Sequence, residues 1–513
     1  MTNKILYCSA AIICGFSILT AFRPAPQEDS VKEVHSTQCL VDSIGSAEPM
    51  RSSLLGVFAV KGNSDTLVSY NPHRKLMPAS NNKLITTGIA MLQLGPDWQY
   101  STSLQTNADI CNGELAGDLY IVGTGDPTIG ADYEGTPGLE ETFAGWKAIL
   151  DSLGIQRISG KIVGDGRFFN GESIPESWEI FDLGYDYFGA CEALNVYENI
   201  VKLKVPGGTA PGKRISGIIA DNPQLPWLNV ESEAFGESGQ ADHLYAIPSI
   251  LKPYAVVRGT LGVKRKESCL EINNSFPAYT CAQLFHDYLV ENGIQIGGGY
   301  ADIGPCGNVR SDFGKPDEGP QAQTALAVLG STGSIALKQI IADCNRESDN
   351  FYAEALLRTV GKDITGASDY RSCSAARDSM FVRLGLTPAE GYELVDGSGL
   401  SRHNYVAPEF FVRFLSAMRD TPIYREYLES LPQPGAGTLK PRIKDEPDSV
   451  KTRVFMKSGS FGGTICFSGY ILAEDGNPDN TIVFSIMSNN VAGPASRQYL
   501  ILESIIQSLA HEN

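Results

Sequence analysis

"MPASNNKLITTG", Met77 to Gly88, decides how the rest of the chain reads. A proline, a serine and, three residues on, a lysine stand at the mouth of an apolar helical pattern. Positions i and i+3 share one face of a helix, so Ser80 and Lys83 meet if a helix opens at the serine. Pro78 favours that start, because the residue before a proline is held extended. The first N–H groups of a helix have no internal partner. The Ser80 amide can therefore bind a developing oxyanion, with the positive helix end in support. A lysine is a base only when neutral, and burial or a nearby cation lowers its pKa. Ser80 is a candidate nucleophile with Lys83 as its base. The bland alternative is a capping serine beside a surface lysine.

Ser-x-x-Lys alone is weak, since about one copy is expected by chance in a chain of this size. A second copy stands at Ser249 and Lys252, but Pro253 follows at once and would break a helix there. Two more stretches raise the signal. Ser348-Asp349-Asn350 falls in a polar loop between two expected helices, "SIALKQIIADCNRESDNFYAEALLRTVG". Lys457-Ser458-Gly459 ends the first of three short strands, "VFMKSGS", "TICFSGYILA" and "TIVFSIMSNN", which are followed by a helix near residues 494–510. S-x-x-K, S-D-N and K-T-G together mark class A β-lactamases and penicillin-binding proteins. Here K-S-G keeps the hydroxyl and the glycine.

Each element has a chemical task. Ser348 can relay a proton between Lys83 and a leaving group. Asn350 can hold Lys83 and a substrate amide. Lys457 offers positive charge to a substrate carboxylate and depresses the pKa of Lys83. Ser458 and Gly459 line the substrate strand, with the glycine leaving room for a substrate backbone. The Ser460 amide is the second oxyanion donor.

The surrounding chain sets the frame. It has 513 residues, 42% hydrophobic and 19% charged, enough for two to four packed domains. A net charge of -18 argues against a nucleic-acid binder and offers no polybasic membrane patch. Lys4 precedes the uncharged run "ILYCSAAIICGFSILTAF", read as an export signal or a retained anchor over residues 1–25. Residues 26–50 read as a polar linker. "LLGVFAVKGNSDTLVSYN" reads as a hairpin around Gly62-Asn63. Eleven cysteines and six histidines are scattered without zinc spacing, so neither metal nor cofactor is expected. Cys269, Cys281 and Cys306 lie close enough in sequence for a disulfide, with no pairing fixed.

From about Trp98 to Gln323 the texture becomes Gly-, Pro- and strand-rich, with one clear helix at Pro277–Gly293. The expected architecture is mixed α/β (α+β). Residues 51–96 and 325–513 are expected to form one domain, which by the likeness of its motifs to those of β-lactamases is expected to be β-lactamase/transpeptidase-like, an antiparallel sheet flanked by helices. Residues 97–324 interrupt it as a β-rich insertion with a nested subdomain near 200–265.

With these motifs in place, the chain resembles the D-alanyl-D-alanine carboxypeptidase/endopeptidases of the penicillin-binding protein 4 type, the class C low-molecular-mass penicillin-binding proteins. "GTGDPTIG", "VGDGRFF" and "LVDGSGLSRHN" (Leu394–Asn404) strengthen the likeness, as does the long insertion. The resemblance implies an exported, periplasmic serine acyl hydrolase acting on peptidoglycan stem peptides and acylated by β-lactam antibiotics. It also implies a side-chain pocket for a diaminopimelate. Asp182 would grip its ammonium and Arg402 its carboxylate, in bidentate fashion, with Tyr187 and Phe461 as walls. Ser458 stands where relatives carry threonine, and Cys191 where they carry proline. A β-lactamase and a non-catalytic peptidoglycan-binding scaffold are the alternatives. Oligomeric state is not legible.

Overall fold

The computed structural model describes residues 36–62, 65–305, 307–311, 313, 326–387 and 391–512. The export signal or anchor, the first part of the linker and Cys306 lie outside the described residues. The secondary elements build a mixed α/β fold with several antiparallel sheets.

One five-stranded antiparallel sheet carries the Lys457-Ser458-Gly459 motif. Its strands are β1 (Leu54–Lys61), β2 (Asp65–Tyr70), β3 (Val454–Phe461), β4 (Thr464–Ile471) and β5 (Ile482–Asn489), in the order β2-β1-β5-β4-β3. Strand β5 is buried along its whole length. Ile482, Phe484 and Ile486 join one hydrophobic cluster, while Val483 and Met487 join another. That alternation is the two-residue period of a strand. Both faces are covered by helices, so apolar residues fall on both sides of the strand.

Helix α1 (Ser36–Ser46) packs with the C-terminal helix on one face. It falls in the stretch expected to be linker. Its short polar sequence hides a small apolar stripe, with Val41 fully buried. The opposite face is covered by α2 (Asn82–Leu94), α3 (Leu337–Glu347), α4 (Asn350–Thr365) and α5 (Pro408–Arg419), and α6 (Ala495–His511) completes the helices named here. Helix α2 is the central one. Every residue from Asn82 to Met91 is buried, as expected of a helix surrounded by others. Helix α4 is capped at its start by Asp349, whose carboxylate accepts the Tyr352 N–H at 2.8 Å.

The insertion begins and ends at paired strands. Ser101–Thr106 lies antiparallel to Ala327–Gly333, with Ser101 opposite Gly333. Residues 327–333, expected to open the helical segment, form instead a strand of a six-stranded sheet. Helices Leu139–Ser152 and Pro277–Glu291 pack against its core. Two three-stranded sheets between Ile200 and Asn273 share a separate hydrophobic cluster. Cys269 and Cys281 are unbonded thiols, the first exposed and the second buried. The second Ser-x-x-Lys copy is a turn, where Ser249 Oγ accepts the Leu251 and Lys252 N–H groups at 3.2 Å.

Candidate active site

The serine turn is strained before it becomes a helix. Ala79 holds φ of +46°, a left-handed value that costs a non-glycine residue of order 1–3 kcal/mol. Residues 79–81 form a 3₁₀ turn and α2 follows at once. The turn is clamped from two sides. A Cβ on Gly459 would sit 2.8 Å from the Ser80 and Asn81 amides and 2.6 Å from the Pro78 carbonyl. A Cβ on Gly399 would collide with the Ala79 carbonyl. Gly459 is therefore required by the protein's own backbone, which brings β3 hard against the serine.

Lys83 is fully buried, and its Nζ has three neighbours: Ser80 Oγ at 3.1 Å, Asn350 Oδ1 at 2.5 Å and the Ser398 carbonyl at 2.8 Å. Two of these can only accept. Asn350 is oriented by its own amide, whose Nδ2 donates to the Tyr187 carbonyl at 2.6 Å. A neutral amine has two N–H groups. If both go to Asn350 and Ser398, its lone pair is left facing the Ser80 hydroxyl. Burial pushes the Lys83 pKa down, against an upward pull from Cys344, Asp349, Asp396 and Glu354. The arrangement is that of a base aimed at a nucleophile.

Lys457 is also fully buried and donates to the Ser458 carbonyl at 2.8 Å. Burial, then Lys83, hold its pKa well below the usual lysine range. Burial is the first cause of the shift at Lys83, one of the two causes the sequence reading named. Ser458 Oγ meets Thr438 Oγ1 at 3.0 Å. Strand β3 is a sheet edge. The Met456 N–H leaves the sheet for the Pro432 carbonyl, so the alternation of an antiparallel strand turns the Ser458 and Ser460 N–H groups to the same outer edge. Ser348 adopts φ of +66° between α3 and α4. It lines a cavity of about 630 Å³ together with Asn350 and Tyr187. Among the described residues its hydroxyl makes no hydrogen bond to Lys83 or Ser80.

Sequence reading missed the support beneath Lys83. The Ser398 carbonyl comes from the "LVDGSGLSRHN" stretch, where only Arg402 had been singled out. Two buried carboxylates hold that loop. Glu354 accepts the Ser398 N–H at 2.7 Å and the Gly397 N–H at 3.0 Å. Asp396 accepts from Gly399, Ser401 and Asn404, and from the Trp178 indole at 2.9 Å. Burial, then Asp396, raise Glu354 to about 7. The Asp-Gly-Ser-Gly turn was the visible signal, since a tight turn aims a carbonyl.

The rim takes Glu179, Asp182 and Tyr187 from the stretch expected as an insertion, and Arg402 and Phe461 from the rest of the chain. Tyr187 OH donates to Asp182 Oδ1 at 3.0 Å. Arg402 Nε pairs with Glu179 at 2.5 Å and its guanidinium lies 4.9 Å over the Phe461 ring. Burial raises the Asp182 pKa, while Tyr187 and Arg402 oppose the rise. Asp182, Tyr187, Arg402 and Phe461 thus gather at one rim. Arg402 takes Glu179 as its partner rather than Asp182, which the sequence did not suggest.

The profile of the D-Ala-D-Ala carboxypeptidase 3 (S13) family matches residues 40–501. A D-alanyl-D-alanine carboxypeptidase of Actinomadura sp. (strain R39) is 26% identical over 471 residues, covering 89% of this chain and 81% of the relative. The D-alanyl-D-alanine carboxypeptidase DacB of Haemophilus influenzae is 25% identical over 426 residues, with 82% of each chain covered. The crystal structure of penicillin binding protein 4 (dacB) from Haemophilus influenzae superimposes with a TM-score of 0.75 at 23% identity, covering 92% of this chain and 98% of that one. The same protein has been solved complexed with a novel β-lactam, with a TM-score of 0.70.

Proposed function

The chain belongs to the D-Ala-D-Ala carboxypeptidase 3 (S13) family, and from that premise we propose how its residues divide the work of a serine D-Ala-D-Ala carboxypeptidase. Ser80 attacks the carbonyl that precedes a terminal D-alanine. Lys83 takes the hydroxyl proton on its lone pair. The oxyanion rests on the Ser80 and Ser460 amides, one at a helix start and one on a strand edge. The proton passes to the departing D-alanine nitrogen with Ser348 as relay. Water then hydrolyses the ester. A penicillin follows the same first step and leaves a penicilloyl ester on Ser80.

Lys457 receives the terminal carboxylate. Its proton is loosely held in the free site, because burial and Lys83 both oppose it. An arriving carboxylate restores the charge. Cross-linked peptides are the second substrate class, read through Asp182 and Arg402. Export is proposed from the apolar N-terminal run. Among the described residues no helix is long and apolar enough to cross a membrane.

The observation that carries this reading is the Lys83 Nζ, 3.1 Å from Ser80 Oγ with its other two contacts both acceptors. The test is a gel with fluorescent penicillin on wild type and Ser80→Ala. Wild type is expected to label and the variant not at all. A variant that labels at the wild-type rate would remove Ser80 from the mechanism.

A further inference from the structure

Helix α4 turns Asn350, Glu354 and Arg358 to one face, since residues four apart are neighbours on a helix. Asn350 holds Lys83, and Glu354 holds the loop that carries Ser398. Arg358 is 1% exposed, and the chemistry at the floor does not use it. A guanidinium does not shed its charge, and a charge taken out of water costs heavily unless its donors are met. Among the described residues Arg358 makes no ion pair with a carboxylate. Its donors go to three carbonyls instead: Nε to Ser368 at 3.2 Å, Nη1 to Cys191 at 2.6 Å and Nη2 to Asn170 at 2.9 Å. The guanidinium carbon lies 4.8 Å over the Phe169 ring, a cation–π contact.

Asn170 and Cys191 are the two residues that flank the stretch from Gly171 to Ala190. That stretch carries Glu179, Asp182 and Tyr187 to the rim. Its only regular structure is two 3₁₀ turns, Ile180–Gly184 and Asp186–Phe188, so little in its own backbone fixes where it stands. Its ends are held together as in an Ω-loop, here by one planar fork that bonds both. Asn170 is fixed further by Ser368, whose Oγ accepts its N–H at 2.8 Å and whose N–H donates to its Oδ1 at 2.7 Å. The middle of the loop is tied through Trp178 to Asp396 and through the Tyr187 carbonyl to Asn350. Gly189, at φ of +76°, comes so near α4 that a Cβ there would sit 2.9 Å from that of Asn350.

We propose that Arg358 is a positioning residue for substrate selection: by bonding the carbonyls at both ends of the Gly171–Ala190 loop, it sets where Asp182 and Tyr187 stand relative to Ser80, and so governs peptides that are read at the rim. A lysine in its place cannot span the three carbonyls, because an ammonium is a point charge without the fork. Acylation by penicillin, which is driven from the floor, depends on Arg358 far less. The inference rests on the rim assignment proposed above, in which Asp182 and Arg402 read the peptide side chain. If that assignment fails, Asp182→Ala slows all substrates alike. If only this inference fails, Asp182→Ala is selective and the Arg358 variant is not.

The experiment uses the full chain as wild type, Arg358→Lys, Asp182→Ala and the double variant. It measures kcat/KM on a diaminopimelate-containing peptide and on a diacyl-lysine peptide, and the rate of acylation by fluorescent penicillin. Arg358→Lys should lose about 10–100-fold on the diaminopimelate peptide, the scale of a misplaced binding group, and much less on the other two. In the double variant Asp182→Ala should cost almost nothing further, because its carboxylate has already lost its place. Hydrogen exchange should quicken in residues 171–190 and stay unchanged in α4. Equal losses on all three substrates, losses at Asp182 and Arg358 that simply multiply, or unchanged exchange in the loop would overturn the proposal. If Arg358→Lys does not fold, Ser368→Ala decides by the same comparisons, since it keeps Arg358 and removes the Oγ that holds the Asn170 N–H.

Discussion

The floor of the site and its rim are built on opposite terms. At the floor, Lys83, Glu354, Asp396 and Lys457 are all buried, and each polar contact is made to a fixed partner. At the rim, Ile180 and Phe181 are more than 70% exposed, and Arg402 and Glu179 are about half exposed. Burial makes the floor chemically unusual, since it pushes the pKa of both lysines down. It also makes it intolerant, because each orphaned buried donor costs about 1–3 kcal/mol. Exposed ion pairs of the rim kind contribute roughly 0–1 kcal/mol. The floor should decide whether reaction occurs, and the rim which substrate arrives.

Substitutions can break that contrast. The largest effect is expected at Ser80→Ala, with loss of both D-alanine release and penicillin labelling while the circular dichroism spectrum is retained. Next is Lys83→Arg. It keeps the charge, but guanidinium does not deprotonate, so acylation should fall by about 10²–10⁴-fold, the usual contribution of a general base. In wild type the acylation rate should decline as pH falls through the depressed Lys83 pKa. An arginine variant with near-native rates would return Lys83 to a packing role.

Glu354→Ala comes third. It leaves the Gly397 and Ser398 amides unpaired and frees the carbonyl that holds Lys83. Urea unfolding should show a loss of about 2–4 kcal/mol, with a slower acylation. Unchanged stability would mean that the loop holds itself. Asp182→Ala should have the smallest and most selective effect. A fully desolvated pair would lose about 2–5 kcal/mol, but this group is only partly buried. About a tenfold drop in kcat/KM is therefore expected for a diaminopimelate-containing peptide, with little change for a diacyl-lysine peptide or for penicillin. Equal losses on all three substrates would assign Asp182 to the fold.

The same contrast explains what could be read from the sequence. Ser80 and Lys83 are three residues apart, and Lys457, Ser458 and Gly459 are contiguous, so local periodicity exposes them. The hairpin of β1 and β2 and the three C-terminal strands were legible for the same reason. Glu354 and Ser398 were not, because each acquires its task only through a distant partner: Ser398 and Lys83 respectively. Arg402 was read toward a substrate, and nothing local revealed Glu179 as its resident partner. Helix α1 was taken for linker because few of its residues are apolar. Residues 327–333 were read with the helical segment, since a strand's partner at Ser101–Thr106 leaves no trace in its own composition.

The paired strands at the base of the insertion bear on how this chain finds its fold. Strand β1 must pair with β5, Leu54 against Asn489, so the two halves of the central sheet leave the ribosome far apart in time. Once Ser101 and Gly333 are paired, the intervening segment is short-circuited and the loop still to be closed is about half as long. Each halving of a loop relieves only about 0.6 kcal/mol of closure entropy, so the thermodynamic gain is small. The gain in order is larger. The insertion can complete itself during synthesis, and its closed base then delivers the returning chain beside the waiting hairpin and the serine helix.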